Sequence, residues 1–316
     1  MKLLYFNDFR LGVLTDTGVA DVTAAVSDAD VSSPQALMNW VIERWDSYHE
    51  LLRRAADSAK IVPLESVRVR PPLPKPLNID CMARNYMENG TLPARPEINA
   101  FLKTSSSIIG HGDTMVLPDV AATIFEGEAE LAVVIGKRAQ NVSAAEAMEY
   151  VFGYTNLIDG SARGIPPRDN AFYQMKSRDT FCPIGPFLVT ADEVQDPHDL
   201  PVRLWNNGIL MQDFNTNDMA YNIAESIAFV SSVHTLEPGD ILATGTNHGG
   251  LHAFMDGDQI DLEVGNLGVL SISVRDDLHR TWGRETRHGR AEAGLSRTTP
   301  QLSGKYSQDA LQPSEA

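Results

Sequence analysis

The chain has 316 residues, 43% of them hydrophobic, which is enough to bury a large core in one domain or two. Its 26 basic and 42 acidic residues give a formal net charge of −16, which repels nucleic acid and anionic membrane surfaces, so neither is an expected partner. No stretch approaches the roughly 20 apolar residues that span a bilayer. Residues 1–14 contain Asn7, Asp8 and Arg10 where a signal peptide is apolar, so we expect a cytoplasmic protein.

The first 70 residues are predicted to form a small amino-terminal domain. Residues 2–14 indicate two short strands joined by a turn, as in a β-hairpin. Between residues 33 and 59, apolar side chains recur near the helical period, and Pro34 occupies a position where helices commonly begin. Residues 69–76 then contain four prolines, which interrupt helices and central strands, so we expect a linker there.

Residues 71–282 are predicted to form a mostly β main domain, in an α+β fold class overall. Segments rich in Val and Ile alternate with turns, which is typical of a wrapped or sandwiched sheet rather than of alternating strands and helices. Two helices are expected, one after a capping-box signal at residues 143–146 and one over residues 220–233. Few large apolar side chains occur in residues 283–316, so this polar tail is predicted to be disordered. The predicted strands cover residues 131–135, 187–189, 202–205, 241–244, 259–264 and 269–274.

The most informative stretch is residues 125–136, in which Glu126, Glu128 and Glu130 alternate before an apolar run typical of a strand. Alternation with a period of two places the three acids on one face. Two carboxylates about 4 Å apart repel by roughly 4 kcal/mol at an effective dielectric near 20, so a buried set needs compensation. The alternatives are an exposed, charged sheet edge and a divalent cation with oxygen ligands, and the apolar continuation favours the cation. With only two cysteines, a thiolate metal site is not expected.

A further acid, Asp159, follows an apolar, strand-like stretch and precedes Gly160 and Ser161. Taken alone, it is typical of a turn, because aspartate before glycine and serine is common turn chemistry. Together with the upstream glutamates, it becomes a candidate third carboxylate of one metal site.

Seven short motifs occur in order along the main domain. They are Phe101-Leu102-Lys103, Gly110-x-Gly112-Asp113, the run from Glu128 to Gly136, Gly153-Tyr154-Thr155, Asp159-x-Ser161-Ala162-Arg163, the run from Lys176 to Pro186, and Leu236-x-Pro238-Gly239-Asp240. In this order they resemble the fumarylacetoacetate hydrolase family, from about residue 76 to residue 274. The resemblance implies a rolled, mixed β-sheet catalytic domain behind a small amino-terminal domain, a homodimer, and a bound Mg²⁺, Mn²⁺ or Ca²⁺ ion.

The resemblance also implies roles for individual residues. Glu128, Glu130 and Asp159 match the family's metal ligands, and Lys176 matches a lysine that faces the substrate, with a solvated surface lysine as the alternative. A structural ion-pair partner is an equal alternative for Arg163. The residues that the resemblance assigns to the substrate are Arg163, Thr246 in a glycine-rich loop, Tyr86 and Lys103.

The chain departs from the family pattern at the lid segment. Many members carry a histidine and a glutamate there after an Asn-Tyr pair, whereas Asn89 occupies the place of the histidine in this chain, as in a divergent subgroup. Two residues are candidates for the missing base: Glu88 on the lid, if the lid folds over the metal, and His248 on the opposite rim. The alternative for each is an ordinary loop residue.

These features predict a metal-dependent enzyme that acts on a small oxo acid. The first hypothesis is a hydrolase that cleaves a C–C bond of a 1,3-dicarbonyl, acylpyruvate-like acid through an enolate, for example in the catabolism of aromatic compounds. The second is a decarboxylase, tautomerase, isomerase or hydratase acting on a 2-oxo acid, which the missing lid histidine favours. The third is a metal- or ligand-binding homologue that has lost catalysis.

Overall fold

Two mixed β-sheets, of 12 and 5 strands, are the main elements of the protein in a computed structural model that describes residues 1–166 and 172–307. The strands are β1 (Lys2–Phe6), β2 (Arg10–Thr15), β3 (Gly18–Asp21), β4 (Ile61–Val62), β5 (Val69–Arg70), β6 (Ile79–Met82), β7 (Ala100–Lys103), β8 (Ile108–Ile109), β9 (Thr114–Val116), β10 (Ile124–Ile135), β11 (Val151–Arg163), β12 (Cys182–Thr190), β13 (Pro201–Asn206), β14 (Ile209–Asn215), β15 (Ile241–Ala243), β16 (Gln259–Val264), β17 (Val269–Arg275), β18 (Thr281–Trp282) and β19 (Gln301–Ser303). The helices are α1 (Pro34–Glu43), α2 (Trp45–Ser58), α3 (Phe172–Lys176), α4 (Ile223–Val233) and α5 (Arg287–Glu292). This composition confirms the predicted, mostly β fold class.

The large sheet contains 12 strands, and its longest hydrogen-bonded ladder joins the central strands β10 and β11, from the pair Ile124–Arg163 to the pair Ile135–Val151. Strand β10 is buried along its whole length, and in its second half the odd-numbered residues face one hydrophobic cluster while the even-numbered residues face another. Leu131 and Val133 belong to the first cluster, and Ala132 and Val134 belong to the second. A strand covered on both faces has a continuous apolar run, which explains the run in the sequence.

The amino-terminal residues, predicted to form a small domain, pair with the strands of the large sheet. Strand β1 pairs with β12 through Lys2–Val189 and Leu3–Leu188, and β5 pairs with β1. The proline-rich segment after β5 is packed into the protein and is not a free linker, because Pro71, Pro72 and Leu73 are buried. Sequence patterns report local structure, whereas this pairing joins residues far apart in the chain.

The helix predicted between residues 33 and 59 is two helices that meet at Arg44, whose backbone leaves the helical region. The break lets Trp40 pack edge-on against Tyr48 and lets Trp45 pack edge-on against Phe152 of the large sheet. None of the helices in residues 1–166 and 172–307 is both long enough and apolar enough to span a membrane.

The other two helix predictions have different outcomes. The helix expected over residues 220–233 is present as α4, with a complete capping box between Asn222 and Glu225. The capping-box signal at residues 143–146 leads only to a short 3-10 turn, Ala147–Tyr150. The hydroxyl of Ser143 donates to the carboxylate of Glu146 at 2.7 Å and does not cap a helix backbone.

The prediction of a disordered tail after residue 282 is wrong as far as residue 307. Strand β19 pairs with β18, and α5 lies between them in the chain. The indole of Trp282 donates to the carbonyl of Thr123 at 2.7 Å, and Lys305 forms an ion pair with Asp119. Hydrogen bonds and ion pairs hold this segment, so its low apolar content was a poor guide. Residues 308–316 of the predicted tail lie outside the described residues.

Candidate active site

Three carboxylates meet at the middle of the large sheet. Glu128 and Glu130 extend from the same face of β10, and the antiparallel register places Asp159 of β11 directly opposite Glu128. Oxygen atoms of the three residues lie within 4.8 Å of one another, and all three side chains are buried. The strand period therefore aligns the glutamates, and the register of two strands adds the aspartate.

The glycine-rich loop after β15 holds Glu130 in place. The backbone N–H of Gly245 donates to Oε2 of Glu130 at 2.8 Å. Gly245 has a φ of +89°, which is a backbone conformation that favours glycine over any residue with a Cβ. In the same loop, the hydroxyl of Thr246 donates to the side-chain oxygen of Gln212 at 3.2 Å.

Lys176 reaches the carboxylates from the end of α3. Its Nζ atom lies 2.7 Å from Glu128 Oε2 and 2.5 Å from Asp159 Oδ2, and its side chain is only 2% exposed. The ring of Phe172 stacks on Phe101 of β7 with ring centroids 4.6 Å apart, which fixes α3 against the sheet. A solvated surface lysine is excluded by this geometry.

Lys103 has a different position from the one predicted for a substrate contact. Its Nζ atom donates to Asp159 Oδ1 at 2.7 Å and to the carbonyl oxygen of Lys176, and its side chain is fully buried. Lys103 is not part of the cavity wall. The structure therefore places it behind Asp159, where it orients the aspartate and the end of α3.

Arg163 and Arg287 share the carboxylate of Glu126, the first of the alternating acids. Arg163 Nε lies 3.0 Å from Glu126 Oε2, and Arg287 Nε lies 3.0 Å from Glu126 Oε1. Arg163 also forms an ion pair with Glu128. Glu126 thus binds two arginines and stands apart from the metal-ligand group, and Arg163 is an ion-pair partner that also lines the cavity.

Burial raises the pKa of both Glu128 and Glu130, and the neighbouring charges decide the net direction. For Glu128, the charges of Lys176 and Arg163 outweigh burial and hold its pKa well below the usual range. For Glu130, the negative charges of Asp159 and Glu128 add to burial and raise its pKa well above the usual range. The raised pKa of Glu130 reflects the repulsion among neighbouring buried carboxylates.

The three carboxylates fit a hard divalent cation. Every ligand atom on offer from Glu128, Glu130 and Asp159 is a carboxylate oxygen, the donor that Mg²⁺ and Mn²⁺ prefer. A cation between these oxygens relieves the repulsion that raises the pKa of Glu130. The donor set and its electrostatics therefore support the metal-site prediction, without distinguishing among the divalent ions expected from the sequence.

A cavity of about 920 Å³ opens above the carboxylates. Glu128 and Lys176 lie in its wall together with Tyr86 and Thr246, two of the residues that the sequence assigned to the substrate. Tyr86 is buried and packs edge-on against Phe214. A cavity of this size accommodates a small organic acid with room for solvent.

The two candidate bases are hydrogen-bonded to each other at the wall of this cavity. Nδ1 of His248 donates to Oε1 of Glu88 at 2.5 Å, and the backbone N–H of His248 donates to Oε2 at 3.0 Å. Each side chain is about a quarter exposed. Asn89 is held beside them because its backbone N–H donates to Asp218 at 2.9 Å. Sequence reasoning treated Glu88 and His248 as alternatives, whereas the fold makes them one unit.

Sequence reasoning missed the contribution of the carboxy-terminal residues to the cavity. Thr286, Arg287, His288 and Arg297 all lie in its wall. The signal was present in the composition, because five arginines occur between residues 280 and 297 of a strongly acidic chain. A cluster of cations in such a chain indicates a role for the segment, even without apolar residues.

Comparisons with known proteins match the part of the chain that contains the candidate active site. Residues 78–275 match the fumarylacetoacetate (FAA) hydrolase C-terminal family. The chain is similar to the mitochondrial oxaloacetate tautomerase Fahd2a of Rattus norvegicus, with 35% identity over 272 residues that cover 82% of this chain and 86% of the rat protein. It is also similar to the oxaloacetate tautomerase YisK of Bacillus subtilis strain 168, with 37% identity over 225 residues that cover 67% of this chain and 74% of the bacterial protein.

A solved structure extends the similarity to the whole fold. Maleylpyruvate hydrolase from Sphingobium sp. SYK-6 superimposes with a TM-score of 0.79 and 35% identity, covering 87% of this chain and 100% of the hydrolase. That hydrolase has also been solved in complex with manganese(II) and pyruvate. These relatives are enzymes, and the matched residues contain the carboxylate cluster, Lys176 and the glycine-rich loop. The resemblance predicted from the motifs is confirmed, and the chain belongs to the fumarylacetoacetate hydrolase family.

Proposed function

We propose that the protein is a divalent-metal-dependent tautomerase that interconverts the keto and enol forms of a 2-oxo dicarboxylic acid of the oxaloacetate class. The observation that carries the proposal is the Glu88–His248 pair, because it brings a proton-transferring group to the cavity that also contains Glu128 and Lys176. The similarity to two oxaloacetate tautomerases supports the choice of reaction. The main hypothesis from the sequence, C–C bond hydrolysis, becomes the second candidate.

Tautomerisation moves one proton between the carbon beside a carbonyl group and the carbonyl oxygen. Nδ1 of His248 is engaged by Glu88, which leaves Nε2, without a hydrogen-bond partner among the described residues, to exchange the proton with the carbon. The Glu88 carboxylate orients the imidazole ring and stabilises it while it carries the proton, as a carboxylate does in a catalytic triad. In the enol-to-keto direction the O–H bond breaks as its proton passes to Nε2, and the C–H bond forms as Nε2 delivers that proton to the carbon, so one acid–base group serves both halves.

In the wall of the same cavity, Lys176 places a positive charge against the reacting oxygens of the substrate. Glu128, Glu130 and Asp159 would hold the divalent ion, which when bound supplies Lewis-acid stabilisation of negative charge on the neighbouring oxygens of a 2-oxo acid. Lys103 keeps Asp159 in position from behind. The chain's own cations and its acid–base pair therefore lie in one site, on different residues.

The second candidate is hydrolysis of a C–C bond in an acylpyruvate. It is favoured by the similarity to maleylpyruvate hydrolase over the full length of that enzyme. Hydrolysis also needs a water molecule activated beside the bond that breaks, a task that the family gives to the lid histidine. Asn89 has no acid–base function at that position, which favours tautomerisation.

The test begins with protein that is stripped by a chelator and reloaded with Mn²⁺ or Mg²⁺. Enol oxaloacetate is added, and its conversion to the keto form is followed by the loss of ultraviolet absorbance. Maleylpyruvate is added in a parallel reaction, and pyruvate release is measured with lactate dehydrogenase. We expect metal-dependent loss of the enol and little pyruvate release. Rapid pyruvate release without accelerated loss of the enol would reject the tautomerase in favour of the hydrolase.

The homodimer, the cytoplasmic location and the choice of Mg²⁺ as the native ion remain predictions. Light scattering on the purified protein would test the dimer. Activity after reloading with each ion separately would rank Mg²⁺, Mn²⁺ and Ca²⁺.

A further inference from the structure

The carboxy-terminal arm, defined here as residues 283–307, lies outside the part of the chain that matches the family, which ends at residue 275. It nevertheless packs against the glycine-rich loop of the candidate active site. The backbone N–H of Arg287 donates to the carbonyl of Leu251 at 2.9 Å, and that of His288 donates to Gly249 at 2.8 Å. The arm is therefore built onto the cavity by main-chain hydrogen bonds.

Two ion pairs with buried acids fix the beginning of the arm. Arg287 binds Glu126, which is 1% exposed, and Arg284 binds Asp258, whose side chain is also 1% exposed. Glu126 lies on the strand that carries the proposed metal ligands. The position of the arm is thereby tied to the same strand as the catalytic carboxylates.

The following residues hold Arg297 at the cavity wall. Nε of Arg290 donates to the carbonyl of Ser296 at 2.6 Å, and the N–H of Leu295 donates to the carbonyl of Arg290 at 2.9 Å. On the other side of Arg297, Thr299 is buried. The backbone is thus fixed before and after Arg297, whose side chain lines the cavity.

A second arginine, Arg84, lines the same cavity from the loop that follows β6. Within residues 1–166 and 172–307, neither Arg84 nor Arg297 forms an ion pair or a side-chain hydrogen bond with the protein. The two acids that line the cavity besides Glu128 already have partners, since Glu88 bonds His248 and Asp213 pairs with a surface arginine. Among the described residues, two exposed cations without a counter-ion therefore line one cavity.

Counted as formal charges with every acid ionised, the ion-pair network at this cavity is neutral before a metal binds. Four carboxylates and four cationic side chains form this network, which we call the floor network. A divalent ion would bring its formal charge from zero to +2. Arg84 and Arg297 add positive charge at the wall of the cavity, in a protein whose overall charge is −16. Such a local reversal of sign attracts an anion with more than one charge. The floor network consists of Glu126, Glu128, Glu130, Asp159, Lys103, Lys176, Arg163 and Arg287.

We propose that Arg297 of the carboxy-terminal arm, with Arg84, binds the distal carboxylate of a dicarboxylic substrate and so determines specificity for diacids over monoacids. This proposal rests on the proposed function, which defines the end of the substrate that reacts. Guanidinium groups bind carboxylates through paired, charge-assisted hydrogen bonds, and loss of one such contact weakens binding by about tenfold to a hundredfold. The arm therefore adds a substrate contact that the matched family domain does not contain.

The test compares two ligands by titration calorimetry on the full-length, Mn²⁺-loaded protein. Oxalate, a two-carbon dianion, presents the chelating oxygens of a 2-oxo acid end and has no carboxylate beyond them, whereas malate also presents a distal carboxylate. We expect Arg297→Gln and Arg84→Gln to raise the Kd of malate at least tenfold and to change that of oxalate less than twofold. Arg54→Gln, on the exposed face of α2, is the matched control and should leave both values unchanged.

The kinetic measurement separates this proposal from the proposed function. An unchanged malate Kd and an unchanged KM for oxaloacetate in Arg297→Gln would overturn the role of the arm and leave the tautomerase intact. Arginine-dependent malate binding in a protein that does not tautomerise oxaloacetate would sustain the diacid site and reject the tautomerase. A loss confined to Arg84→Gln would also overturn the assignment to the arm, because the contact would then belong to the matched domain alone.

Discussion

The substitution Glu126→Gln is expected to release the carboxy-terminal arm from the cavity. The carboxylate of Glu126 accepts hydrogen bonds from Nε of Arg163 and Nε of Arg287, both at 3.0 Å. Burial raises the pKa of Glu126, but the two guanidinium charges outweigh it and hold the pKa below its usual value, so the group is ionised at neutral pH. Glutamine keeps the size and removes the charge, which leaves Arg287 without its counter-ion beside Arg163.

The structure sets the size of the effect. Breaking a buried ion pair on one side costs about 3–5 kcal/mol, and Arg287 is 21% exposed and keeps some hydration, so we take the lower end, about 3 kcal/mol. Since about 1.4 kcal/mol is a factor of ten, the population with the arm undocked should rise by roughly a hundredfold. Arg163 remains paired with Glu128, so the sheet itself should stay folded.

Limited trypsin digestion measures this population, because Arg290 is buried while the arm is docked. The rate of cleavage after Arg290, followed by mass spectrometry, tracks the undocked fraction when redocking is faster than cleavage. Asp119→Asn is the matched control, because it breaks the ion pair with Lys305, in which both side chains are about half exposed. Such exposed pairs contribute at most about 1 kcal/mol, so its effect should be below about fivefold. Cleavage of Glu126→Gln at the wild-type rate would refute the reasoning.

Three further results are expected. His248→Asn should lower kcat by about 10²- to 10⁴-fold in the enol oxaloacetate assay, the usual contribution of a general base, whereas His279→Asn at the surface should not. Lys103→Met should lower the free energy of unfolding, measured with urea, by about 3–5 kcal/mol, because it leaves the buried carboxylate it binds without that partner. Burial raises the pKa of Asp80 to about 6 despite its hydrogen bond from His234, so the folded state binds more protons than the unfolded chain and stability falls as pH rises from about 4 to 6. Asp80→Asn should remove that slope, which amounts to roughly 3 kcal/mol at about 1.4 kcal/mol for each pH unit.

Each of these predictions has a result that would contradict it. Full activity of His248→Asn would remove the imidazole from the reaction. An unfolding curve of Lys103→Met that overlies the wild-type curve would show that the lysine does not support the carboxylate cluster. An unfolding free energy with the same pH slope in Asp80→Asn and in the wild type would assign the slope to other groups.

The carboxylate site was accessible from the sequence because it depends on local periodicity. A strand alternates its side chains, so Glu126, Glu128 and Glu130 had to share one face once residues 124–135 formed a strand. Strand alternation alone could not show which of the three glutamates belong to the metal site. Two of these glutamates join Asp159, and Glu126 binds arginines, because the partners arrive from other elements.

The pairing of Glu88 with His248 and the burial of Lys103 required the three-dimensional structure. The lid and the glycine-rich loop are 160 residues apart in the chain, and no local pattern reports that their side chains meet. Lys103 was placed in the substrate site from its motif alone. In the structure its ammonium binds Asp159 and the carbonyl of Lys176, and Lys103 does not line the cavity.

The carboxy-terminal arm shows which properties of this protein the sequence determined and which depend on the tertiary structure. Sequence alone determined the mostly β fold class, the family, and the face of the strand that carries the acids, since these follow from spacing and motif order. Whether a segment poor in apolar residues is ordered depends on the partners it finds, and the arginines of this arm find buried acids that are distant in the chain. Only the tertiary structure decides such pairings, because ion pairs and hydrogen bonds require specific atoms to come within about 3 Å.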